Sequence, residues 1–176
     1  MSIIACRVTK DKIYLAADTQ LTRGSDIRPG VKYKKIRNVK GLVIAAVGTC
    51  TEVDLFTKYV KENEFPYRKR DIVTFMADFY AHRDTVNAKL IPKGDDDVSS
   101  GTFIIVFNGN AYSISDLFVA KINDLYAIGS GEPYALGAME FGATVQEAIE
   151  ITCKYSTDCS VPIQYMEIER RQHGKK

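Results

Sequence analysis

The sequence predicts an α+β fold in which stacked sheets are covered by helices on both outsides. Three observations carry that expectation: short apolar strand patterns come in runs, two pairs of helical patterns separate the runs, and no internal repeat or second domain interrupts them. The chain has 176 residues, 45% hydrophobic and 26% charged, which suits one domain with a full core.

Residues 3–8 and 12–17 are apolar stretches around the polar Thr9-Lys10-Asp11, so they read as adjacent strands ending at Asp18. After a polar stretch with Pro29-Gly30, residues 33–39 and 42–47 read as a strand pair around Lys40-Gly41, closed by Gly48. Thr49 and Glu52 have capping-box spacing and open a helix with a Val53, Phe56 and Val60 stripe. A second helix from about Asp71 places Ile72, Phe75, Met76, Phe79 and Tyr80 on one face. The two helices are expected to cover one face of the early strands. Residues 92–100 read as a solvated loop, and Asp95, Asp96 and Asp97 lack the alternating ligand spacing of a calcium loop.

Residues 103–107 and 111–114 around Asn108-Gly109 give a hairpin signal with a type I′ turn. Residues 117–122 and 125–128 read as a further pair. A third helix starts near Ser130, with Pro133 in its first turn. A fourth starts at Thr144, where Glu147 completes a capping box and Ala148, Ile149 and Thr152 face inward. A last strand covers residues 161–168. The reading is a single domain over residues 1–168 and a charged tail over 169–176.

A net charge of +2 is too mild to imply a nucleic-acid or membrane partner, and the basic stretch from Arg28 to Lys40 reads as a solvated face. No run reaches the roughly 18 apolar residues of a membrane span. Cys6, Cys50, Cys153 and Cys159 show no CxxC spacing and neither histidine sits near them, so no metal site is expected and the thiols read as buried and free. The start lacks a signal-peptide pattern, which predicts a cytoplasmic protein with reduced thiols. His82 falls on a helix and His173 in the tail, poor contexts for a Ser-His-Asp triad.

Four ordered segments carry a resemblance: MSIIACR, LAADTQ, KIRNV-KGLVIAAVGT and YAIGSGEPYALGA. Together they resemble proteasome β-subunits, the N-terminal nucleophile hydrolases, with particular likeness to the bacterial HslV-type peptidase. The resemblance covers nearly the whole chain. It implies a four-layer αββα sandwich of two antiparallel sheets between helix pairs and a homo-oligomeric ring. It also implies a peptide or unfolded-protein substrate, an unfolding ATPase as partner, and no cofactor.

A serine hydroxyl is a poor nucleophile until a base takes its proton, and a free α-amine, with a pKa near ~7.7, is a suitable base. Ser2 would hold both groups once Met1 is removed. It stands sixteen residues before Asp18, the separation that the resemblance gives between nucleophile and aspartate. Aligned on IIACR instead, Met1 falls on the nucleophile position and one residue is inserted in the first hairpin. The family also carries threonine there. Two readings therefore stay open, a peptidase acting through Ser2 and a non-catalytic structural or binding protein with Met1 retained. An amidase of the same mechanism is a third.

Asp18 ends an apolar strand, where an unpaired carboxylate is costly. The resemblance supplies a lysine partner that tunes the nucleophile's proton affinity. Strand alternation favours Lys35 over Lys34 by placing Ile36 on the helix-covered face. Gly48 offers a backbone N–H suited to an oxyanion, and serves equally as a tight turn into the helix. Ser130 matches the family's serine beside the α-amine, or is a helix N-cap. Cys50 falls where the family lines its substrate-binding pocket, or is a helix-start thiol. Around residues 154–157 the aspartate that family members carry is missing.

Overall fold

The structure is a computed structural model that describes residues 2–23, 26–31, 33–66, 68–90 and 101–170. In chain order the elements are β1 (Ile3–Val8), β2 (Lys12–Ala17), β3 (Thr22–Arg23), β4 (Asp26–Ile27), β5 (Ile36–Val39), β6 (Leu42–Val47), α1 (Cys50–Glu62) and α2 (Lys69–Leu90). There follow β7 (Thr102–Phe107), β8 (Asn110–Ser115), β9 (Phe118–Ile122), β10 (Leu125–Gly129), α3 (Glu132–Glu140), α4 (Val145–Tyr155) and β11 (Gln164–Glu169).

Strands β10-β1-β2-β11 form one antiparallel sheet and β5-β6-β7-β8-β9 a second, with β3-β4 a separate small hairpin. Side-chain alternation sorts the apolar residues into three layers of core. Ile4, Cys6, Leu15, Val43, Ala45, Ile104 and Val106 meet between the sheets. Ile44, Phe103 and Ile105 point the other way, against Val53, Phe56 and Val60 of α1 and Ile72, Met76 and Phe79 of α2. Ile3, Ala5 and Ala16 pack against Ala135 and Met139 of α3 and Ala148 and Ile149 of α4. This is the expected αββα sandwich. Fully burying a side chain such as Phe56 contributes roughly 1.5–3 kcal/mol, so all three layers matter to stability.

Local signals hold at several points. The β7–β8 turn has positive φ at both Asn108 (49°) and Gly109 (69°), as a type I′ turn requires. Thr144 and Glu147 make both halves of a capping box, and Thr49 caps α1 by accepting from the Glu52 N–H.

Five expectations are corrected. Residues 117–122 and 125–128 do not pair with each other: β9 pairs with β8, and β10 crosses to pair with β1 in the other sheet. Neither Asn123 nor Asp124 has the positive φ that a tight hairpin needs, so the chain runs on instead of folding back. Helices α1 and α2 cover only the sheet of β5–β9, while β1 and β2 lie against α3 and α4. Strand β5 starts at Ile36, not Tyr33, because the Gln164 side chain takes the N–H groups of Lys35 and Ile36 at 2.6 and 3.3 Å. Glu52 does not close a capping box; its carboxylate turns to Gly101 and Arg83. Helix α3 is capped by Gly131, so Ser130 is not its N-cap. Residues 92–100, with the three aspartates, and His173 lie outside the described residues.

Candidate active site

Asp18 and Lys35 come from different sheets and meet between them. Asp18 follows β2 and is fully buried. Its Oδ1 accepts from Lys35 Nζ at 2.6 Å and from the Ile3 N–H at 2.9 Å, and its Oδ2 accepts from the Gln20 N–H at 2.9 Å. Three charge-assisted bonds satisfy a carboxylate that would otherwise be costly to bury. Lys35 is 4% exposed whereas Lys34 is exposed, so the buried lysine is Lys35. The alternation argument for it does not hold, however. Ile36 packs between the sheets, not under the helices, because Lys35 precedes the strand and is set by Gln164.

Ser2 lies directly before β1, half-buried, against the end of β10. Its backbone N–H faces Ser130 Oγ at 3.4 Å, and its carbonyl accepts from Ser130 Oγ at 3.4 Å and from the Gly131 N–H at 3.5 Å. The IGSG motif acquires a steric reason here. A Cβ on Gly129 would stand 2.2 Å from the Ser2 carbonyl oxygen, and one on Gly131 would stand 2.5 Å from Thr152 Cγ2. Only glycines let the β10 end run this close to Ser2.

Gly48 links β6 to α1 with φ +129°, and a Cβ there would meet Gly101 Cα at 2.8 Å. Gly101 is fixed in turn by Glu52, whose Oε2 accepts the Gly101 N–H at 2.6 Å while Oε1 pairs with Arg83 Nη1 at 3.0 Å. Glu52 is 3% exposed. A buried ion pair thus braces the backbone behind Gly48.

Ser2, Lys35, Gly48, Cys50 and Ser130 line one open cleft of about 730 Å³. Asp18 stands behind it, holding Lys35. A larger cleft of about 920 Å³, bounded by the β5–β6 and β7–β8 turns and the end of α1, contains none of these residues. Cys50, the first residue of α1, accepts from the Tyr33 hydroxyl through its carbonyl at 3.0 Å. Burial and then the Asp54 charge push its thiol pKa upward. Burial raises Cys6 to about 12, Cys153 to about 12 and Cys159 to about 11. A thiol must ionise to attack, so burial makes these cysteines poor nucleophiles. His82 is exposed on α2, its ring tilted against Tyr59 at 5.3 Å, away from the cleft.

Sequence reasoning missed Gln164, Gln20 and the Glu52–Arg83 brace. Gln20 is 5% exposed, with its side-chain amide donating to the Thr157 carbonyl at 3.0 Å. No local pattern marks these residues, since their partners lie far along the chain. Glu52 alone gave a signal, and capping-box spacing misassigned it.

No protein-family model and no curated protein matches this chain. Solved structures do. BPH from Thiobacillus denitrificans in complex with epoxomicin is 20% identical, with TM-score 0.76 over 97% of this chain and 100% of its own. The eukaryotic HslV from Trypanosoma brucei is 16% identical, with TM-score 0.68 over 95% of this chain and 99% of its own. Anbu from Hyphomicrobium sp. strain MC1, as a Gly-1 mutant, is 13% identical, with TM-score 0.73 over 96% and 82%. The fold is therefore of the proteasome type. Within that class the chain shares the architecture of BPH, HslV and Anbu alike.

Proposed function

We propose that this protein is an N-terminal nucleophile peptidase in which Ser2, exposed by removal of Met1, attacks the carbonyl carbon of a peptide bond. One observation carries the reading: Ser2, Lys35, Gly48 and Ser130, drawn from four distant parts of the chain, line a single cleft. The α-amine of Ser2 takes the hydroxyl proton as the Oγ–C bond forms, and the Gly48 N–H stabilises the oxyanion. Collapse breaks the C–N bond, the leaving amine takes the proton, and an acyl ester remains on Ser2. Water then attacks that ester with the α-amine again as base, releasing the acid. Lys35, oriented by Asp18, holds positive charge beside the reacting centre, and Ser130 relays protons to the amine. Cys50 contributes to the substrate-binding wall.

BPH, a protein of the same fold, has been solved in complex with epoxomicin, which supports a ligand-binding role for a protein of this fold. We assign the protein to a homo-oligomeric ring in the cytoplasm, with unfolded polypeptide as substrate and an unfolding ATPase as partner. A second reading, a non-catalytic protein of the same fold, is favoured by one observation. With Met1 in place the Ser2 nitrogen is a peptide amide with no basicity near neutral pH. The deciding experiment is intact-mass analysis with a peptide epoxyketone. Processed protein should gain one adduct at Ser2, Ser2→Thr should still react, and Ser2→Ala and Met1-retaining protein should not. Equal labelling of processed protein and Ser2→Ala would falsify the mechanism.

A further inference from the structure

The cleft that contains Ser2 also carries two uncompensated arginines. Arg23 ends β3 and Arg28 directly follows β4, where its N–H donates to the Leu21 carbonyl at 2.9 Å. Both line the cleft and both are exposed. Among the described residues neither forms an ion pair. Asp26 stands opposite Arg23 in the β3–β4 register but makes no ion pair with it and does not line the cleft.

Among the described residues no acidic one lines the cleft. The third lining cation, Lys35, is already matched by Asp18. The carboxylate of Asp54, which accepts from the Tyr33 hydroxyl at 2.8 Å, is matched by Arg37 at 2.7 Å. The unmatched charge of the described cleft lining is therefore carried by Arg23 and Arg28. Ala46, Cys50 and Val53 give it an apolar wall. A ligand side chain that suits such a site has a methylene stem ending in an anion.

We infer that Arg23 and Arg28 make this a cleft for acidic peptides, with a glutamate-like side chain laid along Ala46, Cys50 and Val53 and its carboxylate held by the two guanidinium groups. The inference rests on the reading of the cleft as a peptide site. A lysine at the same position would meet two like charges, and a leucine would leave both arginines without a partner.

Binding without turnover separates this inference from the catalytic one. Fluorescence anisotropy on the processed Ser2→Ala protein would compare three labelled hexapeptides that differ only in carrying Glu, Leu or Lys at one position. At low salt the Glu peptide should bind about fivefold more tightly than Leu and about tenfold more tightly than Lys, the range expected for exposed ion pairs and like-charge repulsion. The margin should shrink by half or more in 0.5 M salt, through screening. Arg23→Ala with Arg28→Ala should erase it, and Arg28→Glu should turn it toward Lys. Equal affinities, a preference for Leu or Lys, or no binding by any peptide would overturn the inference. Epoxyketone labelling of Ser2 without an acidic preference would sink this inference alone and leave the mechanism standing.

Discussion

Lys35 Nζ stands 2.6 Å from Asp18 Oδ1, both side chains withdrawn from water, Asp18 directly after β2 and Lys35 directly before β5, strands of different sheets. The pair therefore serves structure and chemistry together. Removing one partner of a buried ion pair leaves a charge without compensation and typically costs about 3–5 kcal/mol. Lys35→Ala should lower stability by about that amount in chemical denaturation, and Lys34→Ala, at an exposed site, should leave it within about 0.5 kcal/mol. Turnover should fall about a hundredfold or more in Lys35→Ala wherever the protein remains folded, and stay near wild type in Lys34→Ala. The opposite pattern would assign the site lysine to the wrong residue.

The brace behind Gly48 yields a separate expectation. Glu52→Ala removes the acceptor of the Gly101 N–H and one of the two carboxylates paired with Arg83, which keeps Asp84, and should cost about 1–3 kcal/mol. Glu52→Gln keeps an acceptor for Gly101 and should cost less. Because Gly101 packs against Gly48, Glu52→Gln should slow acylation more than it weakens peptide binding. A pure loss of stability, with kcat unchanged, would limit Glu52 to a structural role.

Gly48→Ala should be harmful for two independent reasons. Its φ of +129° strains any side chain, and the added Cβ would stand 2.8 Å from a backbone carbon. A cost of about 1–3 kcal/mol is expected from the backbone strain alone. Thermal melts that match wild type would show that the β6–α1 turn relaxes freely.

The buried thiol of Cys6 sets an alkaline limit. Burial raises its pKa from 9.0 to about 12, so the unfolded chain gives up this proton more readily than the folded one. The stability it contributes is complete below pH 9, and is lost as pH rises from there toward 12. The slope is about 1.4 kcal/mol per pH unit for one such group. Replacing Cys6 with Ala should flatten that part of the curve, at the expense of packing between the sheets. Denaturation midpoints of the two proteins at pH 8, 9.5 and 11 give the comparison.

Assembly is expected to use the outer face of α3 and α4. Phe141 is 97% exposed and Tyr155 71%, and Tyr155 stacks with Tyr134 at 6.5 Å. Exposed apolar side chains on neighbouring helices are a common mark of an interface. Gly137, exposed on α3, leaves this surface open to close approach. Light scattering should give a mass several times 19.7 kDa, and Phe141→Glu with Tyr155→Glu should reduce it toward a monomer. A wild-type monomer would remove the ring from the proposal.

Much of the layer order was legible because strand and helix periodicities are local. Val53, Phe56 and Val60 mark their face by spacing alone, as do the Asn-Gly turn and the Thr144 cap. What could not be read was which sheet a strand joins. Residues 117–122 and 125–128 look like a hairpin, since nothing local reveals that β1 waits for β10. The residues later found along the cleft were named from a resemblance, whereas Gln164 and Gln20 answer to partners more than a hundred residues away. Arg28 falls in a stretch that reads as a solvated face and Arg23 carries no signal of its own, because charge along a chain does not disclose which residues share a hollow.

The crossing from β9 to β10 also sets a timetable. The five-stranded sheet is drawn from residues 36–122, one contiguous stretch, but β1 is flanked on one side by residues 125–129 and across β2 by residues 164–169. At about 5–20 residues per second of synthesis, the first strand emerges several seconds or more before its neighbour β10 exists. Until then β1 has no neighbour on that side, and the cleft has no Ser130 end. Under the proposed reading, this order leaves time for Met1 to be removed before Ser130 arrives to complete the cleft.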